Sequence, residues 1–211
     1  MAADKTDVDY CNRALALLGE SEINELTASE SVTSAICTQL YDGIVERLLS
    51  THNWSFATRY ITLSQETTVP PSPWTHQFAL PADLVRFWTT DYPGEDWLIR
   101  AHPSEDRQIL LAKRSGLKAS YIYRANEGTF SPQFQTALVH RLAADLAVPI
   151  AGVDRGGPLA QFYESKARDS YGLAATIDNS QSPAAQLGDQ GDLWTARGGG
   201  RTDPWDISTG S

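Results

Sequence analysis

YDGIVERLLSTHNWSFATRYITLS, from Tyr41 to Ser64, decides the fold, because within it the hydrophobic period changes. Upstream and through its first turns, Val32, Ile36, Leu40, Ile44 and Leu48 recur every fourth position. Tyr41, Val45 and Leu49 widen the stripe, which is the pattern of a helix with a broad buried face. Thr27 and Glu30 have capping-box spacing, hydroxyl to the backbone three residues on and carboxylate back, and mark its expected start. After Ser50 come His52, Asn53, Trp54 and Phe56, and then the β-branched alternation of Tyr60, Ile61, Thr62 and Leu63, a period of two. Trp54 and Phe56 are expected to be core residues that weld the helix end to a sheet.

Working outward, Thr6 suits the cap of a first helix in which Val8, Cys11, Leu15 and Leu18 follow helical spacing and Gly19 supplies a left-handed stop. The polar link GESEINEL, anchored by Ile23 and Leu26, is short, so the first two helices are expected as antiparallel neighbours. QETTVPPSPWT, residues 65–75, holds Pro70, Pro71 and Pro73 and favours an extended loop. It carries Trp74, either a tail-side interface anchor or a ring folded back onto the sheet. HQFALP, LVRFWTT, DWLIRA, RQILLA and LKASYIYR are then short β-leaning runs separated by turn residues, suiting a small antiparallel sheet or meander. Ser131 and Pro132 open a third helix with Phe134, Leu138, Leu142 and Leu146 on one face and Pro149 as its stop. Gly152, Gly156 and Gly157 make a turn. Pro158 begins a fourth helix with Leu159, Phe162, Lys166 or Ala167, and Tyr171 on its inner side.

The fold class expected is α+β, mainly α: about four helices in a bundle, a small inserted antiparallel sheet and an extended C-terminal arm. Residues 1–64 form the helical hairpin and first strand, 65–128 the β platform, 129–177 the closing helix pair, and 178–211 a Gly-rich arm. That arm has little apolar surface to offset its ordering entropy. Leu187, Leu193, Trp194, Trp205 and Ile207 are spaced along it as isolated anchors for a partner surface.

Among 211 residues, 41% are hydrophobic and the formal charge is -9. A chain this acidic is not built to grip nucleic acid by phosphate neutralisation. No run of about 18 apolar residues and no signal-peptide pattern is present, so neither membrane nor export is expected. Cys11 and Cys37 fall on the apolar faces of the first two helices, where buried reduced thiols are expected. His52, His76, His102 and His140 lie on separate elements without metal-ligand spacing. No nucleophile elbow or phosphate loop appears, and no catalytic, cofactor or metal residue is assigned. Asp42, Glu46 and Asp83 are the carboxylates a cell-wall hydrolase would use if folding paired two of them. Their alternative is a solvated face. Arg59, Arg86, Arg100 and Arg124 read as ion-pair partners on the sheet.

Five segments carry a family likeness. NRALALLGE (12–20), YDGIVERLLSTHNWSFATR (41–59), FALPADLVRF (78–87), YIYR (121–124) and FQTALVHRLAADLAVPI (134–150) resemble, in unchanged order across 10–173, the bacteriophage head-to-tail adaptors of the tail tubular protein A type. The resemblance implies a structural virion protein without cofactor, made in the host cytoplasm and placed at the head-tail junction. It implies a ring, usually dodecameric, of self-associated copies under the portal protein. Such a ring lengthens the channel through which double-stranded DNA passes without sequence-specific contact. It also offers a platform to the tail tube or nozzle and to tail fibres, with the C-terminal arm lying along the portal or a neighbouring subunit. The alternative from another class is a virion-associated cell-wall hydrolase using Asp or Glu.

Overall fold

The computed structural model describes residues 6–27, 30–92 and 94–181. The arm residues Leu187, Leu193, Trp194, Trp205 and Ile207 lie outside them. The described residues form an α+β structure, with three α-helices and two small antiparallel sheets.

Helix α1 (Asp7–Leu18) starts at Thr6. The Thr6 hydroxyl accepts from Asp9 N–H, and Asp9 accepts from Thr6 N–H at 2.8 Å, so two otherwise orphaned donors are satisfied reciprocally. Gly19, at φ 73°, ends it. Asn12 fixes the link that follows: its side-chain amide donates to Ile23 O and accepts from Ile23 N–H, both at 2.9 Å.

Helix α2 (Val32–Ser50) begins four residues later than the Thr27 and Glu30 spacing suggests. Its cap is Ser31, whose hydroxyl accepts from Ser34 N–H at 3.0 Å. Glu30 instead turns back to the link and accepts from the N–H groups of Asn24 and Glu25 at 2.8 and 2.9 Å. These bonds hold its carboxyl below the usual range. Val32, in the first turn outside the core, is 78% exposed. The deep face runs through Cys37, Tyr41, Ile44, Val45, Leu48 and Leu49.

Trp54 joins helices, where a weld to the sheet was expected. It has no exposed surface, and its indole N–H donates to Leu48 O at 3.0 Å. Its ring meets Phe134 edge-on at 5.0 Å and Tyr171 at 5.8 Å. Phe56, half-buried, packs on Phe130 and Phe134 at 5.8 and 5.1 Å. Strand pairing starts only after this corner, at Thr58.

The β region forms two sheets where one was expected. In the first, β1 (Thr58–Thr62), β7 (Lys118–Tyr123) and β4 (Leu84–Thr90) lie in the order β1-β7-β4. In the second, β2 (Ser64–Gln65), β3 (His76–Ala79), β6 (Gln108–Ala112) and β5 (Trp97–Ala101) lie in the order β2-β3-β6-β5. Ile122 of β7 and Val85 of β4 join the main core of the helices. Phe87 and Ala119 of those same strands join a second cluster with Phe78, Leu110 and Leu117. The three-stranded sheet therefore serves two cores.

Helix α3 (Pro132–Ser180) is capped by Ser131 and bent back on itself at Gly152, the one residue inside it with non-helical angles (φ 74°, ψ 171°). Pro149 does not stop it. The reversal waits for a residue that tolerates positive φ, three positions on. The limbs 132–151 and 153–180 then lie against each other: His140 Nδ1 is 2.7 Å from Ser170 Oγ, and Arg141 pairs with Glu164. A Cβ on Gly156 would fall 2.3 Å from Ala147 O. Approach this close favours small residues, so Ala167 and Ala174 are buried while Phe162, expected inside, is 53% exposed. Helix α1 rests mainly on α3, where packing on α2 was expected.

Three substitutions probe this packing. Trp54→Ala is expected to cost about 3 kcal/mol or more in urea unfolding. Gly156→Ala should cost about 1–3 kcal/mol through backbone overlap. Gly157→Ala, where a Cβ meets nothing within 4 Å, should be neutral or stabilising by up to about 1 kcal/mol.

Candidate functional site

Between the C-terminal half of α2 and the turn leading into β4 lies an open, polar groove of about 360 Å³, walled by Glu46, Arg47, Asp83 and Arg124 among others. It holds two of the three carboxylates of the hydrolase reading. Both Asp83 oxygens are engaged: Arg59 Nη1 lies at 2.5 Å and the Tyr121 hydroxyl donates at 3.1 Å. Opposition of Arg59 to Tyr121 in the β1–β7 register brings these donors together. Arg59 also stacks over Tyr123, 3.5 Å from the ring centre. Asp42, the third carboxylate, pairs with Arg124 at 3.1 Å.

Arg124 is the hub of a second cluster. It donates to Glu127 at 2.7 Å, while Tyr41 donates to the same Glu127 oxygen at 3.3 Å. Burial works against the Arg124 charge, and its bonds to Glu127 and Asp42 outweigh that, so the guanidinium is held more firmly protonated than usual. Burial, assisted by the Glu127 charge, pushes the Tyr41 phenol up. Burial raises Tyr10, whose hydroxyl donates to Glu127 O, to about 12. Together these groups stitch α1 and α2 to the end of β7.

The other arginines differ from the ion-pair expectation. Arg86 donates to Ser50 O at 2.8 Å and to Asn53 Oδ1, tying β4 to the end of α2. Arg100 is exposed on β5. Trp74 is half-buried and lies 5.9 Å from the ammonium of Lys113, the residue after β6. Among the described residues no group of three His, Cys, Asp or Glu side chains is placed to hold a metal ion. Cys11 and Cys37 are buried free thiols, and burial and mutual contact keep Cys11 protonated.

Two zones hold several of the exposed apolar residues. On the β side are Tyr60, Trp88, Tyr92 and Trp97. On the outer limb of α3 are Phe162 and Leu173, eleven positions apart and so on one helical face. Sequence reasoning missed Asp178, which it placed in the arm. Asp178 is buried, accepts from Ser55 N–H at 3.1 Å and pairs with His52 at 3.2 Å, closing the Trp54 corner. Helix α3 is long and apolar enough by composition to cross a membrane, with mean hydropathy 1.3 over its best window. Its Phe134, Leu138, Leu142 and Leu146 are fully buried in the core. A scan of protein-family models and a search of curated proteins each return no match to this chain.

His140 offers a pH test. Burial lowers its pKa, aided by the Lys166 and Arg13 charges and opposed by a hydrogen bond to the Lys166 backbone. The unfolded chain therefore binds this proton more readily, and stability should fall as pH drops through about 6.5. The melting temperature of the native chain is expected to lose ground against His140→Gln between pH 7.5 and 5.5. A constant difference across that range would remove His140 from the acid response.

Proposed function

We propose that this chain is a structural head-to-tail adaptor of a bacteriophage. In this reading copies self-associate as a ring, dodecameric to match the portal, in the virion at the head-tail junction. The observation that carries the reading is the order of the five segments across 10–173, which resembles the adaptor family as a whole more than any one motif does. We further read α1, α2 and the two limbs of α3 as a four-helix bundle forming the ring's rigid wall, with the two sheets as the platform for the tail tube or nozzle and fibres. The outward Phe162 and Leu173 supply apolar area for a neighbouring copy.

The acidic balance suits a conduit. A net charge of -9 leaves duplex DNA repelled from the wall and free to slide. The 182–211 segment, with Trp194 and Trp205, is the clasp on the portal or on a neighbour. Single weak anchors gain strength when many copies are held at fixed spacing, because later contacts become effectively intramolecular.

The hydrolase reading draws on Glu46 and Asp83 sharing one groove. Against it, Asp83 is already held by Arg59 and Tyr121, which ties that carboxylate to the scaffold. Clearing of a peptidoglycan suspension by the purified chain, abolished in Glu46→Gln, would favour the enzyme.

The adaptor reading is tested by native mass spectrometry of the chain alone and mixed with phage portal rings. Addition of about twelve copies per ring is expected. No addition at saturating concentration would contradict it. Deleting 182–211 should abolish retention on the ring while leaving the chain folded, because Asp178 and the Trp54 corner are kept.

A further inference from the structure

A second cavity, which shares Arg47 with the groove, lies where the C-terminal end of α2 meets both limbs of α3. Its volume is about 210 Å³, below the roughly 300–1,000 Å³ typical of small-molecule sites. Leu48, Ala167 and Tyr171 make an apolar floor, and Arg47, Arg141 and Arg168 make the rim. Tyr171 also touches Trp54, so the floor is continuous with the main core.

The rim carries surplus positive charge. Asp145 pairs with Arg47 at 2.5 Å and with Arg141 at 2.8 Å. Glu164 pairs with Arg141 and, at 3.4 Å, with Arg168. Three guanidinium groups thus share two carboxylates in a chain that is acidic overall. Arg47 and Arg168 have side chains 50% and 77% exposed, with donors left over for another anion.

An occupant that fits is a single aromatic ring flanked by carboxylates. The ring would lie on Tyr171 and Leu48 with guanidinium groups over its face. The carboxylates would take the spare arginine donors. This chain contains such a segment: Asp203, Pro204, Trp205, Asp206 and Ile207. Trp194 has Asp192 on one side only and Arg197 on the other. Reach is sufficient. Tyr171 and Ala167 lie 10 and 14 helical positions before Gln181, about 15–21 Å along the axis. The 24 residues from Gln181 to Trp205 span up to about 80 Å when extended.

We propose that the arginine-rimmed cavity between α2 and the α3 limbs is the docking site for Trp205 of the same chain, with Asp203 and Asp206 set on Arg47 and Arg168. The covalent tether makes docking intramolecular, so modest contacts suffice. The anchor expected to engage a partner is then held on its own body in the free chain, and a partner has to compete for it.

The test uses the full chain with fluorotryptophan at all six tryptophans, the Trp205 resonance being assigned by Trp205→Phe. Fluorine NMR should show a Trp205 solvent isotope shift at least two-fold smaller in the native chain than in Arg168→Glu, whose site is exposed enough to leave the fold intact. The Trp54 resonance should stay fixed, reporting that fold. Asp206→Lys combined with Arg168→Glu should restore the protected signal, while Asp206→Lys alone should release it. Ten-fold dilution should leave protection unchanged. Equal Trp205 signals in the native and Arg168→Glu chains would overturn the proposal, as would a response of Trp194 in its place. Release on dilution would assign the cavity to a second copy and overturn docking within the chain.

Discussion

The indole of Trp54 has no exposed surface, and its single polar atom is satisfied by the Leu48 carbonyl at the end of the helix it follows. The ring is therefore held in position from its own chain before it touches anything distant. Phe134 from one limb of α3 and Tyr171 from the other then close on it. Asp178, a further two turns along, accepts the Ser55 N–H at the start of the short 3-10 turn Ser55–Ala57 that follows α2. One aromatic corner thus fixes where α2 ends, where β1 starts and how α3 folds back. Burial of a large ring together with satisfaction of each polar atom beside it gives both stability and a unique geometry.

The three-stranded sheet is attached to that body by apolar packing of Ile122 and Val85 and is oriented on it by charge. Arg59, Asp83 and Tyr121 tie β1, β7 and the turn before β4. Arg124 and Glu127 tie the end of β7 to Asp42 and Tyr41 of α2. Ion pairs at partly exposed positions add modest stability, yet their fixed geometry sets orientation. The same seam accounts for carboxylates that could otherwise be taken for catalytic residues. A body of helices with its own core is thus joined through an oriented seam to a β unit with a second core.

Local signals were the most legible in the sequence. Thr6, Gly19, Ser131 and Pro132 act where their chemistry indicates, since a cap is decided within four residues. The β-leaning runs are strands at the positions their alternation marks. What the sequence concealed was set at long range. Two hydroxyls four positions apart compete to start α2, and Ser31 wins because Glu30 is drawn back to the link. Phe162 looks like a core residue until the limbs of α3 approach to backbone contact at Gly156; it then lies outward, while Ala167, Ala174 and Tyr171 face the core. Asp178 sits in a polar run and gives no sign of burial. Its partners, Ser55 and His52, lie more than 120 residues earlier. The arginine-rimmed cavity was hidden for the same reason: Arg47, Arg141 and Arg168 come together only through the fold.

The central claim is that the Trp54 corner holds the most stable part of the chain and that the four-stranded sheet is secured separately. Native-state hydrogen exchange across the whole chain tests it directly. Amides in the C-terminal half of α2 and in both limbs of α3 around Phe134 and Tyr171 should exchange slowest and share one opening free energy, with β3 and β6 opening at lower cost. Protection of β3 and β6 equal to or above that of the helices would contradict the account and move the organising core to the β unit.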